Sequence, residues 1–256
     1  MKIYFIIPIL LISLTYSCIK ENVSEISNET SPNSNTKSTG SSSNDLLSDK
    51  KYKSMVIELA YVDGFKPSKI AINNFKSFLE ARTHKPNGII IQERTIESLN
   101  KTSYTIDDII EIEENNRTLY NTNDQIVIWA FFSDGSSSKD SGSGTVLGTA
   151  YRNTSFVIFE NTIHQLSNSA FDPSRSLLET TVITHEFGHI LGLTDLGAEM
   201  QTDHEDKEHT KHCNVESCLM YWSAETGDGL SNLFGNSTAP TLDDQCIADL
   251  QANGGK

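Results

Sequence analysis

His185, Glu186 and His189 form an H-E-x-x-H array inside the segment SRSLLETTVITHEFGHILGL, residues 174–193. Two histidines four residues apart lie one turn apart on the same face of a helix, so both imidazoles can reach one zinc ion. Glu186 stands beside them and can act as a general base. Zinc lowers the pKa of a bound water from about 16 to about 7, so a modest base suffices to complete its deprotonation. The chemistry implied is hydrolysis of a carbonyl that the metal polarises. Pro173 and Ser174 sit where a helix start expects them, and Gly192 follows at the spacing H-E-x-x-H-x-x-G.

The elements that must position this helix are legible upstream. Alternation over 54–62 predicts a strand. Ile70, Ile72, Phe75, Phe78 and Leu79 recur at helical spacing over 68–82. Residues 88–96 read as a strand and 105–119 as an amphipathic helix carrying Ile106, Ile109, Ile110 and Ile112. QIVIWAFFS, residues 125–133, is the strongest strand candidate; 134–144 is a Ser/Gly/Asp loop, and 145–151 and 155–160 read as two more strands. Strands alternating with helices predict an α/β (α+β) fold with a mixed sheet.

His185, Glu186, His189 and Gly192 resemble the signature of metzincin zinc metallopeptidases. The resemblance implies a metzincin-like zincin domain. It would have a twisted mixed sheet, the active-site helix at its base, and a small irregular C-terminal subdomain after Gly192. It also implies a third metal ligand and a methionine turn below the metal. Two candidates compete for the third ligand. Asp195 stands three residues after Gly192, where some metzincins place Asp. His212-Cys213-x4-Cys218-x-Met220 resembles the archaemetzincin pattern, which makes His212 the ligand and Met220 the methionine turn, with 194–211 as an acidic insertion. His204 and His209 are further alternatives. The run THEFGHILGL…KHCNVESCLMYW also resembles exported membrane metalloproteases of flavobacteria. The expected cofactor is one catalytic Zn2+ on His185, His189 and His212 (or Asp195), with Glu186 as the base. The resemblance further implies that an edge strand, 145–151 or 155–160, binds substrate as an added strand, and that 222–229 walls the pocket beyond the scissile bond.

Archaemetzincins carry four cysteines for a second, structural zinc. Here Cys213, Cys218 and Cys246 are available, with Asp249 where a C-x-x-C would end. A disulfide is the favoured expectation outside the cytoplasm. A second structural zinc is the alternative, using Asp249 or a nearby His. The acidic residues Asp203, Glu205, Asp206 and Glu208 around His204 and His209 are expected to form a solvated loop, with a second cation site (calcium as one candidate) or a lid over the cleft as the sharper reading.

The N-terminus carries address information. Lys2 and the apolar run over 3–14 read as a secretory signal peptide, too short to span a bilayer, which needs about 20 residues. Residues 1–17 are therefore expected to be a lipoprotein signal, with Cys18 lipidated. Seventeen of the 29 residues over 22–50 are Ser, Asn or Thr, so 18–51 is expected to be a disordered tether and 52–256 the metallopeptidase domain. The expected location is the cell envelope, lipid-anchored in the outer membrane and facing outward. The expected partners are a peptide or protein substrate and the membrane through the lipid; the chain is expected to be a monomer. A net charge of −14 with no basic run argues against nucleic acid. The expected function is a zinc-dependent endopeptidase at the bacterial cell surface. The alternative is a non-catalytic surface lipoprotein that keeps zinc for structure or binding.

Overall fold

The computed structural model describes Met1 and residues 32–141, 144–169, 173–227 and 238–256. The main sheet has five strands in the order β2-β1-β4-β7-β6. They are β1 (Ser54–Val62), β2 (Ile89–Ile96), β4 (Gln125–Phe132), β6 (Gly148–Arg152) and β7 (Ser155–Ile158). β1 pairs parallel with both β2 and β4, and β4 pairs parallel with β7. β6 runs antiparallel to β7 and forms one edge. The central strands are covered on both faces, which is why SMVIELAYV and QIVIWAFF are almost continuously apolar.

Helices close both faces. α2 (Lys69–Arg82) starts at Ser68, whose Oγ accepts the Ala71 N–H at 3.2 Å. Its Phe75 meets Phe187 edge-on, with ring centroids 5.2 Å apart, and so docks α2 against the helix that bears the histidines. On the opposite face α3 (Ile106–Asn116) presents Ile109 and Ile112 to the cluster built around Trp129 and Phe131. Thr105 and Asp108 form a capping box at its start.

Four boundaries differ from expectation for identifiable reasons. α3 stops at Asn116 rather than 119, because the Thr118 and Leu119 N–H groups turn inward to donate to the buried Glu58 carboxylate. The last parallel strand ends at Ile158, and Glu160–Leu166 is a short helix, α4. β6 begins at Gly148, three residues after the expected start, because Thr145 to Leu147 pair with residues 225–227 instead. The expected loop over 134–144 contains a two-residue strand, β5 (Ser136–Ser137), paired with β3 (Ser103–Tyr104).

The tether expectation requires correction from residue 32 onward. Asn35 is fully buried and its side-chain amide donates to Asn121, Thr154 and the Val127 carbonyl, each at 3.0 Å. Ser43–Leu47 forms a short helix, α1, with Leu46 and Leu47 completely buried. Lys85 Nζ donates to the carbonyls of Asp45, Ser48 and Tyr52. The described fold thus includes residues 32–51, which were expected to be tether. A Ser/Asn-rich composition signals little apolar burial, but here polar side chains satisfy buried backbone groups, among them the Val127 carbonyl of the central strand β4. Residues 2–31, which carry almost all of the expected signal, Cys18 and the first part of the tether, lie outside the described residues. Among those described, no helix is long and apolar enough to cross a membrane.

Candidate metal centre

The histidines ride on α5 (Arg175–Ile190), whose first turn is capped by Ser174 Oγ accepting the Leu177 N–H at 3.3 Å. Every residue from Leu177 to Ile190 is buried, so the helix runs through the core beneath the sheet. It ends where Gly192 takes a φ of +87°, open to glycine at no steric cost. A Cβ there would also stand 2.6 Å from the Ala198 nitrogen, in the turn that sends the chain back. The following loop returns through Thr194, whose hydroxyl donates to the Lys211 carbonyl, and delivers His212 to the helix.

His185, His189, His212 and Glu225 then converge, with one ligand atom of each within 4.8 Å of all the others. The His185 and His189 Nε2 atoms are 3.1 Å apart. His185 Nδ1 lies 2.7 Å from the Leu219 carbonyl, and His212 Nδ1 lies 3.1 Å from the Thr210 carbonyl. Carbonyls only accept, so both Nδ1 atoms carry a proton and both rings turn Nε2 inward. The buried His212 Nε2 makes no hydrogen bond. Three imidazole nitrogens turned to one point form a donor set for a cation. Burial, reinforced by His185, holds His189 well below its usual range and hence neutral. A divalent cation therefore fits the group better than protons do.

Asp195, the competing third ligand, is exposed with a φ of +65° in the turn and stands outside the group. His209 is also outside it; its ring stacks on Trp222, with centroids 4.2 Å apart. His204 is buried elsewhere, between Cys213 and Asp249.

Glu186 is fully buried one residue from His185, and its Oε2 accepts the Ala150 N–H of the edge strand at 2.6 Å. Burial raises its carboxyl well above the usual range, the negative charge of Glu225 adds to this, and the Ala150 N–H opposes it. Met220 passes under α5: a Cβ on Gly188 would lie 2.2 Å from its Sδ, so the glycine inside HEFGH leaves the room that the methionine fills. Gly148 does the same above, where a Cβ would lie 2.7 Å from Glu186 Cγ. A cleft of about 320 Å³ opens here between β6 and the histidines, lined among others by Gly148, Ala150, Glu186, His212 and Glu225.

No protein-family model matches this sequence, and no curated protein matches it. Solved structures do. The chain is similar to the crystal structure of archaemetzincin from Methanopyrus kandleri, with a TM-score of 0.51 and 17% identity, over 78% of this chain and 96% of that one. The fold is archaemetzincin-like.

Within this archaemetzincin-like frame the thiols gather at a second point. Cys213, Cys218, Cys246 and Asp243 bring their ligand atoms within 4.8 Å of one another. The favoured disulfide is not present: the three cysteines are free, and the Cys218 and Cys246 sulfurs are 3.6 Å apart against about 2.05 Å for a bond. Hydrogen bonds from the other two thiols hold Cys218 down to about 3, with the Asp243 and Met220 N–H groups adding to this. Three sulfurs and a carboxylate are a zinc donor set. Asp249, which the second-zinc alternative offered together with a nearby His as fourth donor, instead accepts from His204 at 2.7 Å and turns that ring toward Cys213, at 3.4 Å. Sequence reading missed Asp243, although D-x-x-C at 243–246 was the available signal. It also missed Glu225, for which no spacing rule existed.

Proposed function

We propose that this protein is a zinc-dependent endopeptidase. The observation that carries the reading is the convergence of three imidazoles on one point, with the buried Glu186 carboxyl beside them and an edge strand directly above. His185, His189 and His212 would hold the metal, which when bound polarises a scissile carbonyl and acidifies a water. Glu186 takes the proton from the attacking water and passes it to the departing amine. β6 aligns the substrate backbone antiparallel as an added strand, and the missing side chain at Gly148 keeps Glu186 within reach of the cleft. Met220 and Leu219 fix the floor, the latter by accepting from His185 Nδ1.

The likeness to an archaemetzincin supports the fold on which this chemistry rests. The sequence supports an address: Lys2, the apolar run and Cys18 favour a lipid-anchored, surface-facing protein. A second zinc on Cys213, Cys218, Asp243 and Cys246 would serve structure.

One observation favours a second reading. Glu225 supplies a fourth donor beside the three imidazoles, and closed four-donor sites are typical of structural zinc. A surface protein that merely keeps zinc would have such a site. The test is zinc content and cleavage of a broad peptide library by the full chain and by Glu186→Ala. A peptidase loses cleavage in the variant and keeps its metal. A chain that binds zinc and cleaves nothing, with Glu225 in place or removed, is the non-catalytic protein instead.

A further inference from the structure

Glu225 lies in the short 3-10 helix Trp222–Glu225, five residues after Met220. Its Oε1 is 3.4 Å from His212 Nε2, and its Oε2 is 3.7 Å from His185 Nε2 and 3.9 Å from His189 Nε2. Around a tetrahedral zinc with bonds of about 2.0–2.1 Å, neighbouring donor atoms stand about 3.3 Å apart. The carboxylate is therefore at the remaining corner, the one a catalytic site leaves for water and substrate.

The backbone around it is pinned. The Glu225 carbonyl accepts the Leu147 N–H at 2.9 Å, Thr226 bridges to Val146, and the Gly227 N–H donates to the Thr145 carbonyl at 2.8 Å. These contacts extend the line of β6 on its upstream side. On the other flank Trp222 stacks on His209, whose Nδ1 meets Asp206 at 2.9 Å. The acidic insertion thus braces the 3-10 helix. Held from both sides, the carboxylate is aimed into the centre from a residue that is otherwise one-quarter exposed, with a side-chain relative exposure of 27%.

We propose that Glu225 is a fourth metal donor that closes the site, so that the conformation described is a resting state. Access requires the Glu225 side chain to rotate out of the centre, toward the solvent-exposed side of the cleft, while its backbone stays paired with Leu147. No bond other than the metal–carboxylate contact is made or broken in this step. A strongly chelating ligand entering along β6 must displace the carboxylate. This inference rests on the metal-site reading above, but not on peptide cleavage.

The full chain, loaded with zinc or with cobalt(II), tests it against Glu225→Ala and Glu225→Gln. Zinc affinity is read by competition with a chromogenic chelator, and access by the visible spectrum of the cobalt form titrated with acetohydroxamate. The expected result is a zinc dissociation constant about tenfold or more higher in Glu225→Ala. The wild-type cobalt spectrum should need about tenfold or more hydroxamate to shift than that of the variant, because the carboxylate must first be displaced. Equal affinities together with an equal hydroxamate response overturn the proposal. The wild-type spectrum alone does so if it shifts in full at hydroxamate levels that saturate an open site, whether or not the variants fold. Cleavage is scored separately. An opened Glu225→Ala that binds hydroxamate but cleaves nothing removes the peptidase reading and leaves the fourth donor standing. A wild type that holds no metal removes both.

Discussion

The Ala150 N–H donates to Glu186 Oε2 at 2.6 Å, joining the edge strand directly to the carboxylate beside the histidines. The contact needs Gly148, since any Cβ there would lie 2.9 Å from Glu186 Oε1 and 2.9 Å from Val182 Cγ1. Gly148→Ala is therefore expected to push Glu186 aside while leaving the three histidines in place. Misplacement of a reacting group by about 1 Å costs as much as about 100-fold in rate. Peptide cleavage by Gly148→Ala should fall about 10- to 100-fold in kcat, with zinc content unchanged. Loss of zinc together with activity would show that the glycine serves folding rather than the base.

Glu160 and Glu179 form a second pair of buried carboxyls, away from the metal group, with His164 Nε2 3.1 Å from Glu160 and Arg175 Nε 3.4 Å from Glu179. Burial, and then the charge of Glu179, raises the Glu160 carboxyl well above its ordinary 4.5. Above pH 4.5 the unfolded chain releases this proton while the folded chain keeps it. Stability from this group is thus full at low pH and is lost as pH rises through the folded value. One proton gives a slope of at most about 1.4 kcal/mol per pH unit. Glu160→Gln should flatten that slope and be more stable than wild type at alkaline pH, measured by urea unfolding across a pH series. Parallel curves for the two proteins would refute the assignment.

The parts of the fold that the sequence disclosed are those in which one residue type has one structural meaning. β1 and α2 were legible because apolar runs and helical spacing persist over a whole element, and α5 because its H-E-x-x-H motif sits in a capped helix. The N-terminal segment was misread because Asn35 and Ser43 look like solvent residues in composition, and only tertiary contacts reveal what they hydrogen bond. His212 was legible through its neighbours Cys213, Cys218 and Met220, whereas Asp195 competed only on spacing from Gly192. Spacing could not show that the turn after Gly192 points Asp195 to solvent. Glu225 and Asp243 were invisible for the same reason: each reaches its group through loop geometry that no short motif encodes.

Four donors at the thiol group predict a second zinc per chain. Asp243 is the hardest ligand of the set, and its Oδ2 lies 3.4 Å from Cys213 Sγ. Metal analysis should find two zinc ions in the full chain and one in Cys246→Ser, which should also unfold at lower temperature because α6 (Asp244–Ala252) loses its tie to Cys218. Asp243→Cys supplies a fourth soft ligand and should make the second zinc resist chelators longer. A stoichiometry of one in the wild type, with Cys218 and Cys246 linked after mild oxidation, would instead show that the thiols serve as a redox pair.

Met220 lies against α5 at Gly188, the only residue of HEFGH without a side chain. Gly188→Ala would place a methyl carbon 2.2 Å from the sulfur and 3.0 Å from Met220 Cε. Helix propensity favours alanine by about 1 kcal/mol, so an exposed position would gain from the change. Overpacking in a filled core costs about 1–3 kcal/mol and should win here, because Met220 is fully buried and held by the pairing of its carbonyl with the Cys213 N–H at 2.8 Å. Gly188→Ala is therefore expected to lower stability and to weaken zinc retention, since Leu219 next to Met220 orients His185. Met220→Ala in the same chain removes the clash and should recover zinc affinity while leaving a smaller packing deficit. Urea unfolding and chelator competition on the two single variants and the double variant measure that coupling. Strict additivity would mean that the methionine and the glycine do not share the contact described.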